Sequence, residues 1–292
     1  MYELNHIIGN SYYIQSPSKM GLVKLNDTDV CLIDSGNDKD AGRKVRRVLQ
    51  AEGWQVKAIL NTHSHADHTG GNRYFQQNTG CKIFAPGIEA CIANHPILEP
   101  ALLYGGAPCK ALRHKFLMAQ ESECHDITSP DFPAEIEVIP LHGHIFDMVG
   151  YRTPDDVVFL ADCVSSAATL EKYKIAYLYD VQAYLDTLDY VDTLTAKLFV
   201  PSHTEPTEDI HELTDTNRRC VSDVRDKILS ICAESASFEA ILQRIFTDYG
   251  LSLNFEQYAL VGSTLRSYLS WLLDSGKLAV SFEDNLLLWR AV

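Results

Sequence analysis

A chain of 292 residues, 46% hydrophobic and 22% charged, has the make-up of an ordinary soluble protein, long enough for one large domain or for a large and a small one. Its formal net charge of −14 repels polyanions, which argues against broad, nonspecific binding to nucleic acid or to an anionic membrane surface. No apolar run approaches the roughly 18 residues of a spanning helix, and Met1 to His6 shows no basic segment leading into an apolar one, so a cytoplasmic protein with no membrane partner is expected. The eight cysteines lie far apart without a Cys-x-x-Cys pair, as expected of reduced, mostly buried thiols rather than a disulfide framework.

Ser11 to Ile14, Gly21 to Leu25 and Val30 to Asp34 alternate as short strands around the polar turn Asn26 to Asp29, and should pair antiparallel. Lys39 to Glu52 carries Val45, Val48 and Leu49 at helical spacing and ends at Gly53 as a C-cap. Val56 to Leu60 reads as a buried strand. It runs into Asn61 to Gly71, Asn-Thr-His-Ser-His-Ala-Asp-His-Thr-Gly-Gly. In an extended segment alternate side chains point the same way, so His63 and His65 can grip one cation while Ser64 faces away. Asp67 and His68, past the strand end, are free to turn toward a second cation. Imidazole and carboxylate suit zinc, and also iron or manganese, which bind such donors at about 2.0 to 2.2 Å. Asp34, ending a neighbouring strand, is either an acceptor that orients this stretch or a turn-former before Ser35-Gly36.

A helix from about Gly71 to Asn78, a strand Lys82 to Ala85 and a helix from about Gly87 to Asn94 continue the alternation. Between Pro96 and Pro133 it fails, giving a long insertion with one helical piece around Leu112 to Gln120, a candidate lid. Its His114 and His125 read as surface residues. Glu135 to Leu141 is the next strand, and it delivers a second cluster, His142-Gly143-His144. Val149 to Thr153 and Asp156 to Leu160 form a hairpin ending in Ala161-Asp162. After a segment rich in tyrosine and lysine comes a helix, Val181 to Leu194, then a last strand, Lys197 to Val200, with Pro201-Ser202-His203 hanging from its end. Four strand ends thus carry metal-binding residue types.

These residues resemble the metallo-β-lactamase superfamily from about residue 5 to residue 208. The His-x-His-x-Asp-His pattern at 63 to 68 with its Gly-Gly, the Gly-His at 143 and 144, the Ala-Asp at 161 and 162 and the Ser-His at 202 and 203 fall in that family's order. The resemblance implies an α+β fold, the αβ/βα four-layer sandwich. It also implies two divalent metal ions, zinc first with iron or manganese as alternatives: His63, His65 and His144 on one, Asp67, His68 and His203 on the other, and Asp162 bridging. A pair of such ions about 3.5 to 4 Å apart can hold a bridging hydroxide, with Asp67 or Asp162 as proton acceptor. Carboxylate at 162 is similar to glyoxalase II-like hydrolases, whereas the lactamases proper carry cysteine or serine there. His142 lies outside the pattern and is expected in the pocket or behind a ligand. Cys163, one residue past the bridge, should point away from the metals.

Residues 1–208 are therefore expected to form the catalytic domain and 209–292 a small helical one. Thr216 to Cys232 and Phe238 to Tyr249 are amphipathic helices. Ser263 is expected to cap a third that ends at Gly276, and Leu278 to Phe282 with Leu286 to Trp289 makes a hairpin. Helix, helix, hairpin resembles a winged-helix unit, but the would-be recognition helix offers only Arg266, so nucleic acid is not the expected partner. A unit that caps the active-site edge or forms a homodimer contact is expected instead, with Trp271 and Trp289 buried at that junction. The function expected is hydrolysis of a small-molecule ester, thioester, lactone or amide. A phosphodiesterase or ribonuclease of the same fold and a mononuclear iron sulfur dioxygenase are the alternatives.

Overall fold

The strand signals resolve into two sheets in the computed structural model, which describes residues 2–292. The first holds β1 (Glu3–Ile8), β2 (Ser11–Gln15), β3 (Met20–Lys24), β4 (Asp29–Ile33), β5 (Gln55–Leu60), β6 (Lys82–Ala85) and β7 (His125–Asp126), side by side in chain order. β1 to β4 pair antiparallel, as their short polar turns dictate. From β4 to β7 the pairing is parallel, which requires crossovers. These run through α1 (Lys39–Ala51), then α2 (Ala66–Thr69) and α3 (Asn72–Thr79), then α4 (Gly87–Asn94) and α5 (Leu98–Tyr104). The second sheet holds β8 (Glu137–Pro140), β9 (Val149–Arg152), β10 (Val157–Ser165) and β11 (Leu198–His203) in the order β11-β10-β9-β8. Its parallel pair, β10 and β11, is joined through α6 (Ala167–Tyr173) and α7 (Val181–Val191).

Period-two alternation sorts the side chains into layers. On β4, Cys31 and Ile33 face the second sheet and pack with Tyr151, Phe159 and Val200, while Val30 and Leu32 join Val45 and Leu49 of α1 on the other side. Beyond the second sheet, Leu160 and Val164 meet Leu188 of α7 in a third core. Helix, sheet, sheet, helix is the four-layer sandwich that the resemblance implies.

After residue 210 come α8 (His211–Ile231), α9 (Phe238–Asp248), α10 (Phe255–Asp274) and a hairpin of β12 (Leu278–Glu283) and β13 (Leu286–Ala291). Val224 and Ile228 of α8 and Leu269 and Leu272 of α10 join the third core, which is continuous with β10 and α7. Trp271 and Trp289 pack half-buried against it, and the Trp271 indole donates to Gln182 on α7 (2.9 Å).

Three local expectations need correction. The helix of the insertion lies at Leu98–Tyr104, and only a single 3-10 turn, Lys110–Leu112, forms near the predicted piece. Leu112 and Leu117 are five residues apart and do not share a helical face; both are buried with Leu103 and Ala259 in a satellite core instead. α10 begins eight residues before Ser263, where the Asn254 side chain accepts from the Gln257 amide (2.8 Å). β1 lacked a clear alternating signal because it is a half-exposed edge strand. The described residues contain no helix long and apolar enough to cross a membrane, and all eight cysteines are free.

Candidate metal centre

β5 ends at Leu60, and the chain bends at Thr62 and His63 rather than staying extended as expected, presenting His63 and His65 before α2 carries Asp67 and His68 round. The two glycines that follow are demanded by space. A Cβ on Gly71 would lie 2.2 Å from the Ser35 carbonyl oxygen, and one on Gly70 would lie 2.4 Å from the Asn37 backbone, so only glycine lets the turn after β4 pack against the histidine stretch. His144 follows Gly143, whose φ is +109°. Asp162 is not at a strand end as expected. β10 continues to Ser165 but bends at Ala161 (φ +50°), with register shifts against β11 on both sides; this bulge aims the Asp162 side chain. His203 ends β11, an edge strand, where Pro201 costs no ladder hydrogen bond to a further neighbour.

The folded chain brings two groups together. His63, His65, His144 and Asp162 form one, and Asp67, His68, Asp162 and His203 the other, each with its ligand atoms within 4.8 Å of one another. Asp162 belongs to both. Its Oδ1 lies 3.1 Å from His68 Nε2, and its Oδ2 lies 3.2 Å from His203 Nε2 and 3.6 Å from His144 Nε2. Asp67 Oδ2 lies 3.3 Å from His203 Nε2 and 3.5 Å from His68 Nε2.

The imidazoles are oriented from behind. Nδ1 of His144 meets the Tyr177 carbonyl oxygen (3.1 Å) and Nδ1 of His203 that of Pro17 (3.2 Å). Nδ1 of His68 meets Asp34 Oδ2 (2.8 Å). Thr62 Oγ1 donates to the same Asp34 oxygen (2.9 Å), so its single hydrogen is committed and His63 Nδ1 must donate to it (3.0 Å). Four histidines therefore offer Nε2 to the site. His65 is turned the other way, with Nδ1 3.1 Å from His144 Nε2 and Nε2 facing Glu99 (3.9 Å).

Asp34 thus holds one histidine of each group, which selects the orienting role over the turn-forming one. Asp34→Ala is expected to weaken metal affinity about 10- to 100-fold in both groups, measured by competition with a chromophoric chelator. Because Asp34 sits at φ +63°, Asp34→Asn is the backbone control, since Asn tolerates that conformation. Unchanged affinity in both variants would reduce Asp34 to a turn residue.

Burial pushes the imidazoles of His63, His65 and His144 down, His65 to about 3, so these three are neutral with lone pairs available. In the other group burial is overruled. His203 and His68 hold the Asp162 carboxyl well below the usual range, and Asp162, Asp67 and Asp34 hold His68 well above its own. Asp162 also lifts His203 to about 10. His63 Nε2 is buried without a hydrogen-bond partner, and His68 Nε2 and Asp162 Oδ1, though 3.1 Å apart, are buried without an aligned hydrogen bond. Each such orphan costs about 1–3 kcal/mol, and a divalent cation among these donors would remove the cost and displace the ligand protons. The donor set therefore fits a metal.

The clusters open onto a cavity of about 380 Å³, walled by the insertion, the segment around Leu170 to Leu178, and α10. His142 lies outside it, exposed, with Nδ1 3.1 Å from the Phe146 carbonyl oxygen. His125 is exposed and His114 lies 3.9 Å from Glu256. Cys163 is buried in the core as expected, its thiol pushed up to about 12 by burial.

Sequence reasoning missed several residues. Ser18 donates to Asp67 Oδ2 (2.7 Å) from the loop after β2. Glu89 is fully buried and accepts the amides of Ser64 and Asp147 (3.0 Å each), tying the two histidine loops together. Glu99, 4% exposed, has its carboxyl raised well above the usual range by burial, then by Asp67 and Glu89. The Tyr177 ring packs edge-on against His65 and His144. For Glu89 a signal existed: it shares a helical face with Ile92 and Ala93, both buried.

A family model described as the metallo-beta-lactamase superfamily matches residues 8–203. A hydroxyacylglutathione hydrolase of Rhodopseudomonas palustris is 41% identical over 130 residues, 44% of this chain and 42% of that protein. One of Maricaulis maris is 31% identical over 113 residues, 38% of this chain and 34% of that protein. The chain thus matches only about a third to two fifths of the length of these relatives. Two solved structures share its fold at 15% identity. One is a beta-lactamase domain protein from Burkholderia ambifaria, with TM-score 0.73 over 99% of this chain and 94% of that one. The other is a metallo-beta-lactamase family protein from Thermus thermophilus, with TM-score 0.70 over 99% and 98%. The family match takes in nearly all of both sheets and every loop that carries a candidate ligand, and on that ground the chain belongs to the metallo-beta-lactamase superfamily.

Proposed function

We propose that this chain is a hydrolase that works with two divalent cations, zinc first, on an ester, thioester, lactone or amide. His63 Nε2, His65 Nδ1 and His144 Nε2 would hold one cation, and Asp67, His68 Nε2 and His203 Nε2 the other. The observation that carries this is Asp162, whose two oxygens lie among the nitrogens of both groups. Cations so held supply Lewis acidity toward a carbonyl oxygen and lower the pKa of water toward neutrality. The protein's own part is to orient the imidazoles through Asp34, Thr62, Tyr177 and Pro17, and to keep the metal-side nitrogens unprotonated in the group of His63. The Asp67 carboxylate, 39% exposed and steadied by Ser18, faces the cavity and can accept a proton from water there.

Residues 209–292 serve on this reading as the unit that closes the cavity. Support comes from α10, which lines the wall, and from Arg266, whose guanidinium sits 4.0 Å over the Phe238 ring. Metal analysis of protein purified without chelators is expected to find about two zinc ions per chain, with turnover of at least one ester, thioester, lactone or amide in a substrate panel. A single iron per chain with oxygen uptake would overturn the hydrolase, and turnover confined to phosphodiesters would replace it with a nuclease-type activity.

A further inference from the structure

We infer that the cavity beside the metal centre is an acyl pocket for an uncharged, apolar acyl group of medium length, built jointly by the insertion and α10. The inference rests on the hydrolase reading and names its substrate class. His65, Asp67, His144, Asp162 and His203 line the cavity together with Leu103 and Leu117 of the insertion, Leu170, Ile175, and Leu260 and Val261 of α10. The volume of about 380 Å³ lies at the lower end of small-molecule pockets.

Charge narrows the choice. No lysine or arginine lines the cavity, whereas Glu99 and Glu256 do. Neither of the cations nearest in sequence lines it: Lys172 lies 3.1 Å from the hydroxyl of Tyr173, which does, and Lys174 pairs with Glu171. A thiol carrier with free carboxylates, such as glutathione, would find no lysine or arginine on this wall to pair with, and burying an unpaired ionised group is unfavourable. An alkyl chain meets leucine, isoleucine and valine. The wall is also built as one piece, because Leu103, Leu112 and Leu117 share a satellite core with Ala259 of α10. The insertion and the C-terminal helix are therefore fixed to each other over the site.

The experiment uses the full-length, zinc-loaded chain with neutral N-acetylcysteamine thioesters of acetate, butyrate, hexanoate and octanoate, beside the same acyl groups on glutathione. Each buried methylene is worth about threefold to fourfold. kcat/KM should rise at least about 100-fold from acetyl to octanoyl, and glutathione should gain nothing over the neutral carrier. Ala176, half-buried on the cavity wall, is the position for filling the pocket: Ala176→Phe should cut the octanoyl-to-acetyl ratio about tenfold or more, its fold checked by thermal melting. Binding of the neutral octanamide, followed by calorimetry, gives a readout apart from turnover, and Ala176→Phe should abolish it.

A flat chain-length profile, or a tenfold preference for glutathione carriers, would overturn the acyl pocket while leaving a hydrolase. Absence of all turnover, with octanamide bound in the wild type and lost in Ala176→Phe, would keep the pocket and overturn the hydrolase. Octanamide binding that is absent, or unaffected by the variant, would overturn the pocket.

Discussion

Replacing Asp162 by alanine is expected to leave the two-sheet fold intact, to cut bound metal from about two ions per chain to one or fewer, and to lower turnover about 100-fold or more. The fold should survive because none of the three main cores includes this side chain; it projects from the β10 bulge into the site. The metal should not, because Asp162 is the one carboxylate common to both groups. Its loss leaves three neutral imidazoles on one side. On the other it removes the partner that contributes most to the elevated pKa of His203. Asp162→Asn keeps the shape and one carbonyl oxygen but drops the charge, so it should retain metal between wild type and alanine. Circular dichroism and thermal melting check the fold, and elemental analysis after gel filtration counts the metal. Two full equivalents with wild-type turnover in Asp162→Ala would overturn the bridging role.

How far the sequence reveals this molecule depends on the range over which each residue acts. His63, His65, Asp67 and His68 are legible because four candidate ligands fall in six residues at the end of an apolar run, while their division into two groups is implied by the family resemblance. His144 and His203 are legible because one follows a strand and the other ends one, where loops gather at one edge of a sandwich, whereas Asp162, expected at a strand end, lies instead at a bulge inside β10. The sheets follow from period-two alternation, as Val30 and Leu32 against Cys31 and Ile33 show. Residues whose role exists only in three dimensions escape. Ser18 reaches Asp67 from the loop between β2 and β3, and Glu99 reaches His65 from the insertion. Burial of Leu112 and Leu117 is decided by Ala259 on α10, so helical spacing within the insertion misleads. Gly262 looks like a break, yet α10 runs through it because the cap at Asn254 and the buried Ala259, Val261, Leu265 and Leu269 make one continuous helix.

Gly143 couples the fold to the site, and Gly143→Ala should damage both. Two costs combine. Its φ of +109° is a conformation that residues with a Cβ rarely adopt, worth about 1–3 kcal/mol. A Cβ would also sit 2.2 Å from the Tyr184 amide nitrogen and 2.4 Å from its Cα, an overpacking worth about 1–3 kcal/mol more. Relief by moving α7 is blocked, since Val181, Tyr184, Leu188 and Val191 are buried in the third core. Relief by moving the loop breaks the bonds that the Tyr179 and Asp180 amides donate to the Gly143 carbonyl (3.0 Å each) and carries His144 away from Asp162. The metal-free variant is therefore expected to melt at least about 5 °C lower, and the loaded variant to hold its metal in the His63 group more weakly. Gly106→Ala is the control: nothing lies within 4 Å of a Cβ there, and its effect should stay within about 0.5 kcal/mol. A Gly143→Ala protein with wild-type melting and metal content would mean that the His144 loop and α7 are not locked together, and that the rigidity of the first metal group comes from its hydrogen bonds alone.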